Sequence, residues 1–197
     1  MAHIDYYTFP LSPFTYLAEK DLETIAAKHG ASIHYKPFNL MHIFAETNTP
    51  GVPDRHPNII AYRTQELQRI SQRRNVAINL KPAHWPTNPL PACYAMIAAQ
   101  ETGSGDMAGL VQGLLRACWA EEKDISQDDV INACLTANGF TADLMNQETD
   151  KLAAIYAQNT TEALSSGVFG APTYIVGEQI FWGQDRLDYL DDYLQSL

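Results

Sequence analysis

The pattern of hydrophobic and polar positions predicts strands at both ends of the chain and helices between them. Near the start, HIDYYTF alternates polar and apolar residues, as a half-exposed strand does. Apolar positions from Phe14 to Ala26 then recur at three- and four-residue intervals, which predicts one helix that Gly30 ends. ASIHYKPFNL predicts a second strand. The first forty residues are therefore predicted to fold as β-α-β.

The middle and the end of the chain follow different patterns. From Met41 to about Ser165 no strand pattern is present, and breaks at TNTPGVPDRHP, NLKPAHWPTNPLPA, ETGSGD and NGFT predict about five helices. TYIV and QIFW predict a hairpin that turns at Gly177, followed by a final helix in which Asp185 and Asp188 resemble a capping box. We therefore expect residues 1–40 and 166–197 to form one α/β domain and residues 41–165 to form a helical insertion domain.

Composition excludes two classes of partner. The 13 basic and 23 acidic side chains give a formal charge of −10, so the general attraction for nucleic-acid phosphates is missing. The sequence contains no stretch of eighteen consecutive apolar residues, and it does not begin with a basic stretch followed by an apolar one. Both observations predict that the protein has no membrane partner. The 46% of hydrophobic residues is enough for a buried core.

The cysteines indicate a reducing compartment. Cys93, Cys118 and Cys134 are odd in number and widely spaced, and none belongs to a C-x-x-C pair. This pattern argues against a disulfide framework and against a cysteine zinc site, so we predict no metal, reduced thiols and a cytoplasmic location.

The segment FPLSPFTYL raises a question about Ser12, which follows the first predicted strand directly. A serine there caps the next helix, and Pro13 fits the first helical position. A strand that leads into a helix N-terminus also suits an anion, which the Ser12 hydroxyl could hold. On these residues alone both interpretations stay open.

Four motifs carry a resemblance to a known family. YYTFPLSPFTYLA, TNTP, VFGAPTYIV and FWGQDRLDYL occur in the order found in 2-hydroxychromene-2-carboxylate isomerases and kappa-class glutathione transferases, which the chain resembles. The resemblance implies an α/β fold of the DsbA-like type, in which a thioredoxin-like domain (β-α-β and β-β-α) carries the helical insertion.

The resemblance also implies an activity. It points to a glutathione-dependent isomerase that interconverts 2-hydroxychromene-2-carboxylate and trans-o-hydroxybenzylidenepyruvate in aromatic catabolism. The expected partners are a small aromatic carboxylate substrate and a second copy of the chain in a homodimer. Two alternatives remain: a kappa-like glutathione transferase or peroxidase, and a non-catalytic DsbA-like binding protein.

The family's glutathione residues correspond to particular positions in this chain. Ser12 stands where disulfide oxidoreductases of this fold place a cysteine, and the resemblance implies that its hydroxyl binds the sulfur of glutathione. Ala171 would contribute its backbone before a cis Pro172, Gln184 and Asp185 would hold the γ-glutamyl end, and Asn48 would reach glutathione from the TNTP turn. The implied glutathione residues are Ser12, Asn48, Ala171, Pro172, Gln184 and Asp185.

The residues that would bind the aromatic substrate and the glycine carboxylate of glutathione are harder to identify from the sequence. Trp85 and Pro86 are candidate walls of the substrate pocket, and His84 is either a proton carrier or a surface residue. Relatives place a basic residue where this chain has Ile59. We expect the missing positive charge from Arg55 or Arg63, unless both are ordinary solvated arginines.

Overall fold

The computed structural model describes residues 1–142, 144 and 149–197; the remaining five fall within the predicted helical insertion and lie outside the described part. The strands are β1 (His3–Thr8), β2 (Ser32–Pro37), β3 (Thr173–Val176) and β4 (Gln179–Trp182). The helices are α1 (Pro13–Leu17), α2 (Asp21–His29), α3 (Leu40–Glu46), α4 (Pro57–Arg74), α5 (Leu90–Glu101), α6 (Met107–Trp119), α7 (Asp128–Ala137), α8 (Thr149–Ser165) and α9 (Leu187–Gln195).

One sheet joins the two ends of the chain. Its strand order is β2-β1-β3-β4; β1 pairs parallel with β2 and antiparallel with β3, which pairs antiparallel with β4. Buried aromatic rings hold the central strands together, since Tyr6 of β1 stacks on Tyr174 of β3 with 5.1 Å between ring centroids. The predicted α/β arrangement is confirmed. The division into two domains stays a prediction.

The single helix predicted after β1 is wrong, because the structure breaks it into α1 and α2. The break lies at residues 18–20, where Glu19 has a left-handed φ of 54°. Leu17 and Leu22 are 0% and 2% exposed. On a continuous helix these two residues would point about 140° apart, so the break allows both to enter the core.

The helical middle contains one more helix than predicted. About five were expected, and the described residues form six, α3 to α8. The four predicted breaks all separate helices or follow one, but a fifth break, AEEKDISQ between α6 and α7, contains neither Gly nor Pro and was missed. None of the described helices has the length and apolar character needed to cross a bilayer.

The last helix begins later than the capping-box prediction placed it. α9 starts at Leu187, its N-cap is Arg186, and no side chain caps it. Asp185 instead forms an ion pair with Arg186 at 2.6 Å, so the capping box is wrong. Gln184 and Asp185 consequently lie in the turn between β4 and α9. The hairpin prediction is confirmed, with Gly177 at a left-handed φ of 58°.

Glu23 of α2 carries a buried carboxyl group beneath the sheet. Its Oε1 accepts a hydrogen bond of 2.8 Å from the Tyr35 hydroxyl, while its Oε2 is buried without a partner among the described residues. Burial raises the pKa of Glu23, and the Tyr35 hydrogen bond offsets only part of that effect. Folding therefore favours the neutral carboxyl, and this contribution is lost as pH rises through the raised pKa.

We expect Glu23→Gln to stabilise the protein at about pH 8 and to have little effect at about pH 4, where the wild-type carboxyl is already protonated. Each kcal/mol gained shifts the melting temperature by about 2–4 °C in a chain of this size. Thermal melts at both pH values measure the difference, and the exposed Glu46→Gln is the control. Equal shifts at the two pH values would contradict the prediction.

Candidate active site

Ser12 occupies the junction between β1 and α1, where it forms hydrogen bonds with both ends of the chain. Its N–H donates to the Phe9 carbonyl at 3.0 Å, and its Oγ accepts from the Thr15 N–H at 3.2 Å, so the predicted cap is confirmed. The same hydroxyl donates to the Ala171 carbonyl at 3.0 Å. Ser12 is 6% exposed. Its role as a ligand for an anion stays a prediction.

The segment before β3 continues this network. The Ala171–Pro172 bond is cis, as predicted, and the Pro172 carbonyl accepts from the Gly183 N–H at 2.9 Å. Gly183 directly precedes Gln184, which is 9% exposed. Hydrogen bonds thus link Ser12 with Ala171, and Pro172 with the turn that carries Gln184. The structure brings these four predicted residues together.

Gln184 and Asp185 line a polar cavity of about 790 Å³ that lies against α2, α4 and the start of α9. Three arginines and several carboxylates face it, and the charged lining residues are Asp21, Glu66, Arg69, Arg73, Arg74, Asp185, Asp188 and Asp191. Arg74 forms an ion pair with Asp21 across the lining. Ser12 is not a lining residue. With both charge signs present, the cavity suits a ligand that carries an ammonium and a carboxylate together.

Trp85 is the predicted substrate residue that reaches the Ser12 turn. Its indole Nε1 donates to the Leu11 carbonyl at 3.2 Å, and its ring lies 5.8 Å from that of Trp119. The Trp85–Pro86 bond is also cis, which the sequence analysis missed. Pro86 is exposed. His84 is exposed as well, its Nδ1 lies 4.0 Å from Asp124 Oδ2, and no hydrogen bond joins it to Ser12 in the described part of the chain.

Asn48 lies in an exposed turn that follows α3. Its φ is 52°, and its N–H donates to the Ala45 carbonyl at 3.4 Å. No hydrogen bond joins it to Ser12 in the described part of the chain. The structure therefore leaves the predicted contact of Asn48 with glutathione untested.

One arginine lies beside α1 and a second lies beside α3. Arg63 of α4 lies over the ring of Phe14 at 5.6 Å, and Arg55 lies over the ring of Phe44 at the same distance. Burial, and next the charge of Arg55, lower the pKa of Arg63. Among the described residues, neither arginine forms an ion pair with a carboxylate. The positive charge of Arg63, without a carboxylate partner among the described residues, thus lies beside α1 in a chain whose net charge is −10.

No cysteine stands at this junction, because residues 12 and 15 are serine and threonine. The three cysteines are free, and Cys93 and Cys118 are buried. Burial raises the pKa of all three thiols, that of Cys118 to about 12. Low-pKa thiolates drive disulfide exchange, so the cysteines of this chain are poorly suited to it.

The helix that Ser12 caps is too short to contribute much to the stabilisation of a negative charge. α1 has only five residues and is separated from α2, so it lacks the dipole of a long helix. The Ser12 hydroxyl remains, and Arg63 adds a positive charge beside Phe14 of α1. Such a site can hold and orient a thiolate that arrives with a ligand.

Comparison with known proteins agrees with this architecture. The family model of the DSBA-like thioredoxin domain matches residues 3–195. The chain is 29% identical over 195 residues to a 2-hydroxychromene-2-carboxylate isomerase of Sphingobium xenophagum, covering 97% of each chain. It is 24% identical to glutathione S-transferase kappa 2 of Caenorhabditis elegans, covering 93% of this chain and 88% of the relative.

A solved structure of a 2-hydroxychromene-2-carboxylate isomerase superposes with a TM-score of 0.77 at 24% identity, over 98% of this chain and 95% of that one. At that identity the superposition shows the fold, in agreement with the sheet and helices described above. Because the family model spans nearly the whole chain, the protein belongs to the family of DSBA-like thioredoxin domains.

Proposed function

We propose that the protein is a glutathione-dependent isomerase of the 2-hydroxychromene-2-carboxylate type. The observation that carries the proposal is the buried Ser12 hydroxyl, which lies at the strand-to-helix junction against Ala171. The similarity to curated isomerases and to a kappa-class glutathione transferase supports it. The chain supplies no thiol at this point, so the reactive sulfur is that of glutathione.

Glutathione binds by exchanging hydrogen bonds at Ser12 and Ala171. The Ser12 hydroxyl turns from the Ala171 carbonyl to the sulfur, and the Ala171 carbonyl then accepts the cysteinyl N–H of glutathione. No polar group is left unpaired by this exchange. The γ-glutamyl end, which carries both an ammonium and a carboxylate, reaches Gln184 and Asp185 at the polar cavity.

The reaction needs a thiolate and a held substrate. The hemiketal ring of 2-hydroxychromene-2-carboxylate opens first: its ring C–O bond breaks and the hydroxyl proton passes to the phenolic oxygen, which gives the cis alkene conjugated with a ketone. The glutathione sulfur then adds to the alkene carbon remote from the ketone, and the alkene electron pair shifts to form an enolate whose negative charge lies on the ketone oxygen. The former double bond rotates, the electron pair returns, and the thiolate leaves, so glutathione is regenerated. Ser12 stabilises the thiolate before addition and after expulsion. Trp85, His84 and Pro86 are the proposed substrate contacts, with Trp85 bordering the aromatic ring, and Asn48 is a proposed contact of glutathione.

The remaining expectations belong to the same proposal. We infer that the enzyme works in the cytoplasm as a homodimer, in the catabolism of aromatic compounds. Residues 1–40 and 166–197 provide the glutathione end of the site, and the helical insertion of residues 41–165 provides the substrate end.

Product analysis tests the function directly. Purified protein is mixed with 2-hydroxychromene-2-carboxylate or trans-o-hydroxybenzylidenepyruvate, with and without glutathione, and the products and free glutathione are quantified by chromatography. Isomerisation that requires glutathione and leaves its amount unchanged supports the proposal. Net formation of a glutathione adduct indicates a transferase, and binding of glutathione without turnover indicates a binding protein; either result overturns the isomerase.

Arg63 gives a second test, of the glycine end of glutathione. We expect Arg63→Gln to weaken glutathione binding about 10- to 100-fold, because a hydrogen bond between charged groups contributes about 1.5–3 kcal/mol. Arg116→Gln is the control: Arg116 of α6 is also an arginine, but it is exposed, pairs with Glu121 at 2.9 Å and does not line the cavity. Isothermal titration with glutathione measures both variants.

A glutathione ester identifies the group that Arg63 binds. Esterification of the glycine carboxyl removes its charge, so wild-type protein should lose affinity for the ester while Arg63→Gln loses none. If the ester weakens binding equally in both proteins, Arg63 acts elsewhere and the glycine carboxylate has another partner.

A further inference from the structure

A second cluster of polar side chains lies on β1 and β2, away from Ser12. His3 and Asp5 are two residues apart on β1 and therefore share a face of the sheet, and the parallel register places His34 of β2 opposite Asp5. One ligand atom from each of these three residues lies within 4.8 Å of the other two. This cluster is at the amino end of β1, whereas Ser12 follows its carboxyl end.

The distances are close to those of a metal centre. His3 Nε2 lies 3.3 Å and His34 Nδ1 lies 3.8 Å from Asp5 Oδ1. Ligand atoms bound at about 2.0–2.1 Å in a tetrahedron are about 3.4 Å apart. The His34 side chain is 45% exposed, so its ring has room to turn toward Asp5.

A further contact orients the first imidazole. His3 Nδ1 forms a hydrogen bond of 2.9 Å with Ser32 Oγ, while its Nε2 faces Asp5. Metal-bound histidines are usually held in this way, with one ring nitrogen on the ion and the other on a hydrogen-bond partner. Ser32 is the residue opposite His3 in the β1–β2 register, so the sheet itself sets this contact.

The positive charge of Lys36 repels a cation bound at His3, Asp5 and His34. Its Nζ lies 3.1 Å from Asp5 Oδ1, but it also forms an ion pair of 2.9 Å with Glu162 of α8, which can hold the ammonium while Asp5 turns to an ion. Two carboxylates against one ammonium leave one net negative charge. A divalent ion is therefore attracted, although Lys36 reduces its affinity.

We propose that His3, Asp5 and His34 bind a divalent transition-metal ion of the zinc type, with water completing the coordination. Two imidazoles and one carboxylate suit Zn²⁺ or Co²⁺ better than Mg²⁺ or Ca²⁺, which prefer oxygen ligands. The ion links β1 to β2 and takes no part in the reaction at Ser12. No cysteine is needed, so the cysteine spacing did not reveal this site.

Titration of the full chain with zinc chloride, in buffer without glutathione, tests the proposal. We expect one Zn²⁺ per chain, and at least a tenfold weaker affinity in His34→Ala and in Asp5→Asn. His84→Ala is the matched control, since His84 is an exposed histidine beside one carboxylate. Cobalt(II), whose visible absorption reports its coordination, is the second probe.

A loss of zinc binding can also result from misfolding of a variant, so we add a variant that should bind zinc more tightly. Lys36→Met removes the opposing charge, so it should bind zinc about tenfold more tightly than wild type. The site is overturned if the wild type does not bind zinc, or if His34→Ala and Asp5→Asn bind zinc as tightly as the wild type. Unchanged affinity in Lys36→Met overturns the placement of the ion at Asp5 Oδ1.

Discussion

Replacing Ser12 with alanine should slow the glutathione-dependent reaction about 10- to 100-fold near neutral pH, because a hydrogen bond to a charged group contributes about 1.5–3 kcal/mol. The variant lacks the hydroxyl that stabilises the thiolate. Free thiols have a pKa of about 8.5, so most of the bound glutathione would then stay protonated. Turnover should recover partly as pH rises, because the thiol then ionises without help.

The same substitution removes two contacts within the protein. Ser12 Oγ accepts from the Thr15 N–H and donates to the Ala171 carbonyl. Loss of an N-cap costs about 0.5–2 kcal/mol, so thermal melts must accompany the kinetics. Ser12→Thr keeps a hydroxyl and should retain most of the rate.

Thr15→Val is a matched control in the first turn of α1, three residues after Ser12. Thr15 is fully buried, and its Oγ1 has no hydrogen-bond partner in the described structure. Valine has nearly the same shape, and removing an unpaired buried hydroxyl costs no hydrogen bond, so we expect unchanged turnover and equal or higher stability.

The pH–rate profiles of wild type, Ser12→Ala and Thr15→Val at saturating glutathione distinguish a cap from a catalytic residue. If Ser12 is only a cap, Ser12→Ala should have a lower melting temperature, and its folded fraction should show the same pH–rate profile as the wild type. If the Ser12→Ala and wild-type profiles superimpose after that correction, Ser12 does not act on the thiolate and the proposed mechanism fails.

Local sequence patterns predicted the elements that depend on local physics. The Ser12–Pro13 pair gave the start of α1, Gly177 gave the hairpin turn, and alternating apolar residues gave β1 and β2. The break at Glu19 was missed because packing causes it, through the burial of both Leu17 and Leu22, and no Gly or Pro marks it.

The site depends on contacts that local patterns do not reveal. Ser12 and Ala171 are separated by 159 positions in the chain, and only the resemblance to relatives indicated that they meet. Trp85 reaches the Leu11 carbonyl through a similar long-range contact. For Asp185 the motif misled, because its carboxylate pairs with Arg186 instead of capping α9.

The turn that carries Gln184 and Asp185 depends on Gly183. Its φ of 105° is a conformation that residues with a Cβ rarely adopt, and a Cβ there would lie 2.7 Å from Asp185 Oδ1. The Gly183 N–H also donates to the Pro172 carbonyl. Alanine at this position therefore strains the turn beside the proposed glutathione site.

We expect Gly183→Ala to destabilise the protein by about 1–3 kcal/mol, the usual range for a strained backbone residue. Glutathione affinity should fall about tenfold as well, since Gln184 and Asp185 move with the turn. Gly177→Ala is the matched control: its φ is 58°, no atom lies within 4 Å of the added Cβ, and the hairpin turn is remote from the site. That variant should lose about 1 kcal/mol of stability and keep its glutathione affinity.

A double variant separates the two causes of the strain. Asp185→Ala removes the carboxylate that the new Cβ would contact, so thermal melts of Gly183→Ala with and without Asp185→Ala measure the contribution of that contact. Because the Asp185 side chain is exposed and can rotate away, we expect the double variant to recover little stability, which leaves the backbone conformation as the main cause. If Gly183→Ala is no more destabilising than Gly177→Ala and binds glutathione normally, the turn does not position the ligand and the γ-glutamyl end must bind elsewhere.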